Sequence, residues 1–473
     1  MTATAPPRPR AVLLSVQLQG VSDGDFESSL DELARLARTL GFDVVGRVTQ
    51  KRAGLTPAAV VGSGKLQELA RWTGGSGEIP MGPRHKKRSK REGDDPTEAE
   101  SEAADDGDVE IAFEVEVDDA DEPAAEVPSH GPRATLVLVN HDIGPSQARN
   151  LERATDAEVL DRTAVILAIF QRHARSREAR LQVEIARLEY LAPRLRETGA
   201  GGDRQGGGIG GRGAGESSSE LDRRKVRDRI AELRSELAAI EHHTETQRKR
   251  RENVNTVALV GYTNAGKSSW MRALTGSEVL VEDKLFATLG TTVRVLQPEG
   301  ATRVLVSDTV GFIKQLPHDL VASFRSTLDE ARNCDLLVQI VDAADPAHAS
   351  QIAVTSEVLA SIGADESPRL MVLNKADRLD EAARARMQDA YPDALLLSMK
   401  DRADVARLRE RLVEFFERDL EEAELVIPYT LQKLVALAHE RAHVLSEQHD
   451  AEGTRLRLRA SVPVLARLRA ELD

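Results

Sequence analysis

A single cysteine, Cys334, is present in 473 residues. One thiol cannot close an internal disulfide, which fits a reducing compartment. Cys334 stands just before the apolar run Leu336-Leu337-Val338 and reads as a small buried hydrophobe, not a nucleophile. No apolar run approaches the roughly 18 residues needed to cross a bilayer. The first ten residues hold prolines and arginines with no apolar core behind them, so neither a membrane span nor a secretory signal is expected, and the location expected is cytoplasmic. Basic charge is also short, with a net charge of −14. That deficit is local: residues 75–132 hold 18 acidic and 6 basic side chains, a net −12 that leaves only −2 for the rest. A near-neutral remainder with arginine clusters is compatible with a ribosome or RNA partner.

The length calls for about three packed units plus linkers. Residues 11–18 read as a strand, Leu30, Leu33, Leu36 and Leu40 mark a helix closed by Gly41, and a second strand follows near 43–48. Ala58 to Val61, the turn at Gly62 and a helix through Trp72 continue an α/β alternation of the kind a small parallel sheet needs. Gly64-Lys65 is a decoy for a phosphate loop, because Ala59 stands where glycine is needed and Leu66 where a hydroxyl is needed. Residues 75–132 pass through the basic octet Arg84 to Arg91 into an acidic tract, and this charge-rich stretch is expected to be a disordered insertion. The strand pattern resumes at Ala134 to Val139.

From about residue 160 the period changes. Leu181, Ile185, Leu188, Ala192 and Leu195, and then Val226, Ile230, Leu233, Leu237 and Ile240, form two heptad stripes. Ten glycines with Arg204 and Arg212 fill residues 199–215 between them, which predicts an antiparallel helical hairpin with a basic, flexible tip.

The strongest local signal is Val257-Ala258-Leu259-Val260 followed by Gly261-Tyr262-Thr263-Asn264-Ala265-Gly266-Lys267-Ser268-Ser269, a strand, a phosphate loop and a helix start. The glycines let backbone N–H groups converge on a phosphate, Lys267 reaches the outer phosphates, and the Ser268 hydroxyl is placed to ligate Mg2+. Val304 to Gly311 is a strand ending in Asp308-Thr309-Val310-Gly311, where Asp308 can hold Mg2+ through water and the Gly311 amide can sense a γ-phosphate. Thr292 lies between, where a second Mg2+ ligand from the first switch is expected. Leu370 to Leu373 lead into Asn374-Lys375-Ala376-Asp377, whose Asp377 carboxylate can accept from the ring N–H and amine of guanine but finds no such donor pair on adenine. Lys267, Thr292 and Gly311 are the candidate catalytic group. Phe312 follows Gly311 where many small GTPases carry a water-orienting glutamine, so slow unassisted hydrolysis is expected.

Gly261 to Ser268, Phe286-Ala287-Thr288-Leu289, Asp308 to Phe312 and Asn374 to Asp377 resemble the HflX family of ribosome-associated GTPases. Val61 to Lys65, Pro145 to Leu151, Asp161-Arg162-Thr163 and Arg204 to Gly210 extend the resemblance upstream. It implies an N-terminal α/β domain and hairpin that bind the large (50S) ribosomal subunit and its rRNA, beside a Mg2+-dependent GTPase domain that splits or rescues stalled 70S ribosomes. The chain departs from the family pattern at Gly290, Ser269-Trp270 and Ser217-Ser218-Ser219, and its base-supporting pair is Ser398-Met399.

The fold expected is therefore multidomain α/β: an N-terminal α/β domain over 1–155 carrying the insertion, the hairpin over 156–250, a P-loop GTPase domain with a mostly parallel sheet over 251–420, and a small α/β C-terminal domain over 421–473. In that last unit a helix is expected over 431–446 and a strand at Arg455 to Arg459 whose alternating arginines form a solvated face. A monomer is expected. A ribosome-bound scaffold using GTP as a conformational ligand, and an ATP-dependent RNA remodeller, are the competing functions.

Overall fold

The computed structural model describes residues 8–79, 133–198, 218–249, 254–276, 285–286, 292–298, 302–314, 325–418 and 420–472. Most of the charged insertion, the glycine loop with Arg204 and Arg212, and the Ala287 to Thr291 stretch lie outside them.

The first unit runs β1 (Arg10–Leu18), α1 (Asp23–Thr39), β2 (Asp43–Arg52), α2 (Ser63–Thr73), β3 (Leu136–Val139), α3 (Pro145–Thr155), β4 (Glu158–Asp161) and α4 (Arg162–His173). Its strands form one parallel sheet in the order β2-β1-β3-β4. Alternate side chains of β1 serve opposite faces: Ala11 and Leu13 pack with α1 and α4, and Val12, Leu14 and Val16 with α2 and α3. A strand covered on both faces must be apolar throughout, which is why β1 reads as one continuous run. The boundary expected at 155 falls short, since β4 and α4 complete this sheet and carry the unit to 173. Val165, Ile166, Ile169 and Phe170 of α4 are buried in it, and their helical spacing resembles that of the stripes that follow.

The hairpin pairs α5 (Arg177–Thr198) with α6 (Ser218–Lys249). Leu181, Ile185 and Leu188 meet Ile230, Leu233, Leu237 and Ile240. The antiparallel sense shows in the pairs Arg177–Glu236 at 2.9 Å and Arg229–Glu184 at 3.1 Å. Asp161 at the end of β4 anchors the hairpin, accepting from Tyr190 Oη at 2.7 Å and Arg194 Nη2 at 2.5 Å while it caps α4 through the Ala164 N–H.

The third unit contains β5 (Asn255–Gly261), α7 (Lys267–Thr275), β6 (Thr292–Val295), β7 (Val304–Asp308), α8 (Arg325–Arg332), β8 (Leu336–Asp342), α9 (His348–Ser361), β9 (Arg369–Asn374), α10 (Glu381–Ala390), β10 (Leu395–Leu396) and α11 (Arg402–Glu417). The sheet order is β10-β9-β8-β5-β7-β6, parallel except for β6. Cys334 packs beside this core, and burial pushes its thiol up to about 12, which leaves it inert at neutral pH.

The last unit is β11 (Leu420–Ile427), α12 (Gln432–Arg441), β12 (His443–His449), β13 (Thr454–Ser461) and α13 (Val462–Ala470), with an antiparallel sheet ordered β11-β13-β12. The helix expected over 431–446 stops at Arg441, and 443–449 is a strand because it pairs antiparallel with β13, with one irregularity at Leu445. Arg455 and Arg457 pair with Glu424 and Glu422 on β11, so the arginine face is balanced by its neighbouring strand.

The first and third units share a core. Tyr262, Leu285, Phe286, Val310 and Ile313 pack with Leu30, Leu33, Val165 and Phe170, and the Phe170 and Phe286 rings meet edge to face at 4.7 Å.

Candidate active site

The site lies at the carboxyl ends of β5, β7 and β9, where ligands bind in open parallel sheets. The buried strand β5 ends at Gly261, and α7 begins at Lys267, so Tyr262 to Gly266 form a loop wrapped over a helix N-terminus. Gly266 adopts φ +104°, and a Cβ there would stand 2.3 Å from Asn374 Nδ2. Asn264 is exposed at the loop's outer edge with φ +61°, Ala265 is buried, and Ser269 is half-buried on the first turn of α7. Lys267 folds back over the loop, donating to the Gly261 carbonyl at 3.0 Å and the Tyr262 carbonyl at 2.8 Å. Burial draws its ammonium down to about 8 against the opposing pull of Asp308. A cation held this way, ringed by carbonyls inside an anion-binding loop, is matched to a phosphate.

The second strand end brings the metal candidates together. Ser268 Oγ donates to Asp308 Oδ2 at 2.7 Å, and Asp308 is fully buried. Thr292 stands directly across the β6–β7 ladder from Asp308. Two hydroxyls and a carboxylate are hard oxygen donors, and they fit Mg2+. Gly311 sits over Lys267: a Cβ at that position would lie 3.0 Å from Lys267 Nζ. The loop and this segment are stitched by Thr263 N–H to Phe312 O at 2.8 Å and Phe312 N–H to Gly261 O at 3.1 Å. The Phe312 ring turns away, buried among Val260, Leu328 and Leu337.

At the third strand end Asn374 Nδ2 donates to the Ala265 carbonyl at 2.7 Å, and Lys375 Nζ to the Asn264 carbonyl at 2.9 Å, so the β9 end is fastened to the phosphate loop. Asp377 accepts from Ser398 Oγ and Lys400 Nζ, each at 2.7 Å. These bonds, Lys400 first, hold its carboxyl below the usual range, so it is an acceptor at neutral pH. Met399 turns its side chain onto the core, leaving only its backbone to face a base. Two buried polar atoms, Asn374 Oδ1 and Thr263 Oγ1, have no hydrogen-bond partner among the described residues, as expected of groups that meet a polar ligand.

Three family models match the chain: a GTP-binding GTPase N-terminal region over 27–77 and 119–171, a GTP-binding GTPase middle region over 173–251, and a 50S ribosome-binding GTPase region over 256–375. The GTPase HflX of Gluconacetobacter diazotrophicus is 53% identical over 470 residues, covering 99% of both chains. This chain belongs to the HflX family of GTPases. Within that family, the GTPase HflX of Caldanaerobacter subterraneus is 36% identical over 99% of this chain and 95% of its own. A solved GTP-binding protein of Sulfolobus solfataricus, in complex with GDP, is 20% identical over 86% of this chain and 98% of its own, with a TM-score of 0.41.

Sequence reasoning missed several residues of this HflX-type site. Lys400 and Asp404 brace Asp377 and Ser398, the latter by accepting from the Ser398 N–H at 2.8 Å, and neither belongs to a recognisable motif. Asp342 at the end of β8 ties down Lys375 at 2.6 Å. Glu32 and Arg162 of the first unit reach Tyr262 and Lys314 from outside the fold that contains the loop. The decoy Lys65 pairs with Glu68 at 2.9 Å, and the Gly62 N–H is taken by Gln50, so that turn is occupied by its own side chains. Among the described residues no helix is long and apolar enough to cross a membrane.

Proposed function

We propose that the protein is a Mg2+-dependent GTPase that binds the large ribosomal subunit and its rRNA, and dissociates or rescues stalled 70S ribosomes. Asp377 reads guanine, Lys267 and the loop amides of Gly261 to Ser268 neutralise the phosphates, and the Gly311 amide faces the γ-phosphate. Ser268, Thr292 and Asp308 would hold Mg2+, which would supply positive charge beside the phosphates. The single observation that carries a partner-dependent reading is Phe312. Its ring is committed to the core at 1% exposure, and the segment from Gly311 to Lys314 presents no carboxamide to orient water. The match to a 50S ribosome-binding GTPase model supports the ribosome as that partner, and the long hairpin gives it an extended surface.

Hydrolysis by the free protein should be slow and should rise at least about tenfold on adding 50S or 70S particles, a modest part of the acceleration that partner proteins give other GTPases. Phosphate release measured with and without purified particles tests this. A rate indifferent to both particles would contradict the ribosome assignment and leave the nucleotide site standing.

A further inference from the structure

A buried polar ring joins the first unit to the loop that follows Gly311. The Lys314 N–H donates to Tyr262 Oη at 2.7 Å, and the Lys314 carbonyl accepts from Arg162 Nη2 at 3.1 Å. Tyr262 Oη donates to Glu32 Oε2, and Glu32 Oε1 accepts from Arg162 Nη2. Arg162 Nη1 donates to Asn140 Oδ1 at 2.8 Å. Arg162, Glu32 and Tyr262 are 1%, 3% and 4% exposed. Both backbone polar groups of Lys314 are thus held, one by a phosphate-loop residue and the other by the first unit, and its ammonium pairs with Asp25 of the first unit at 3.2 Å.

Cementing the two units does not require this arrangement. The surrounding contacts among Leu30, Leu33, Phe170, Phe286 and Ile313 are apolar, and a buried ion pair adds little net stability over apolar packing of the same volume. What the ring supplies is position. Lys314 is three residues past Gly311, and Tyr262 immediately follows the first loop glycine, so the four bonds fix the spacing between the phosphate loop and the segment over Lys267. Burial pushes the Tyr262 phenol up to about 12 and draws Arg162 down to about 10, so the first stays a neutral donor and the second a cation at neutral pH.

We infer that Glu32 and Arg162 are positioning residues for GTP hydrolysis, acting through Tyr262 and the Lys314 peptide to hold the Gly311 amide where the γ-phosphate must sit. This rests on the reading of Gly311 as the γ-phosphate contact. A misplacement of about 1 Å at such a contact can lower a rate by about 10²-fold. The ring also ties the phosphate loop to the hairpin, because Asp161, the neighbour of Arg162, is the residue that anchors α5 through Tyr190 and Arg194.

Tyr262→Phe in the full-length chain is the deciding variant, since it deletes one hydroxyl and keeps the ring's apolar packing. The single-turnover rate at saturating GTP should fall about tenfold, with the KM for GTP and the affinity for a fluorescent GDP analogue within about threefold of wild type. Glu32→Ala should reproduce the loss, and Glu32→Gln, whose amide oxygen accepts from one of the two donors while its N–H2 faces the other, should recover only part of it. Because Glu32→Ala strands a buried guanidinium and can unfold the chain, the Tyr262→Phe rate decides if that variant is not isolated. A wild-type rate in Tyr262→Phe, or parallel losses of GDP and GTP affinity with an unchanged rate, would overturn the inference. Lys267→Ala separates this from the site reading: retained GTP binding there would refute the site itself, whatever Tyr262→Phe does.

Discussion

Lys267→Ala should abolish tight GTP binding while leaving the protein folded. In the structure the Lys267 ammonium is buried and held by two loop carbonyls, with Gly311 above it. Bound GTP would receive charge-assisted hydrogen bonds from it, each worth about 1.5–3 kcal/mol, so losing two of them weakens binding by roughly 10²-fold or more. The cost to the fold is small by comparison, because the substitution removes a buried charge and the two carbonyls it leaves keep other donors, the Phe312 N–H on Gly261 and the Ala265 N–H on Tyr262. Titration of a fluorescent GTP analogue, paired with a thermal melt without nucleotide, reads both quantities. Wild-type affinity in a folded variant would refute the phosphate-loop assignment.

Asp377→Asn should exchange base preference instead of abolishing binding. The Asp377 carboxylate is held ionised by Lys400 and Ser398 and is about one-third exposed, so its remaining lone pairs are available to a base. Guanine offers a ring N–H and an amine to that acceptor. An amide can satisfy only one of them and sets its own N–H2 against the other, a mismatch of the kind that a site built on hydrogen bonds rejects strongly. GTP affinity should fall by about 10²-fold, whereas xanthosine triphosphate, which carries a carbonyl in place of the amine, should bind better than it does to wild type. Competition between the two nucleotides on wild type and variant measures the exchange. Unchanged preference would mean that the Asn374 to Asp377 segment does not read the base.

The parts of this site that could be read from sequence are those whose chemistry is local. Gly261 to Ser268, Asp308 to Gly311 and Asn374 to Asp377 each need fixed residue types within a few positions at the end of a buried strand, so each leaves a motif. The ring around Lys314 leaves no single motif: Arg162 and Tyr262 stand in stretches that carry the family resemblance, but nothing local joins them to each other or to Glu32. Glu32 and Arg162 are 130 positions apart, and Glu32 and Tyr262 are 230 apart, and they meet only because α1 and α4 pack on the same face of the first sheet. On sequence alone Glu32 is a polar position between apolar Leu30 and Leu33, indistinguishable from a solvated helix face. Lys400 is hidden for a similar reason, lying 23 positions from Asp377 in a turn without a pattern.

The fold followed the same rule. Strands buried on both faces and the hairpin's heptads are periodic, and Leu181, Ile185, Ile230 and Leu233 stand where their spacing puts them. The strand β12 escaped notice because His443 to His449 contains residues that also suit a helix, and only pairing with β13 decides its state. The end of the first unit was misplaced because α4 carries a helical apolar period that resembles the hairpin's, although it is buried on the sheet.

The most direct measurement is the sedimentation profile of 70S ribosomes incubated with the full-length protein and either GTP or a non-hydrolysable analogue. A GTPase that splits ribosomes through binding should convert the 70S peak into separate subunits with either nucleotide and place the protein on the large one. An intact 70S peak, with the protein found only on subunits that were already free, would contradict a splitting function and favour an assembly or scaffolding role.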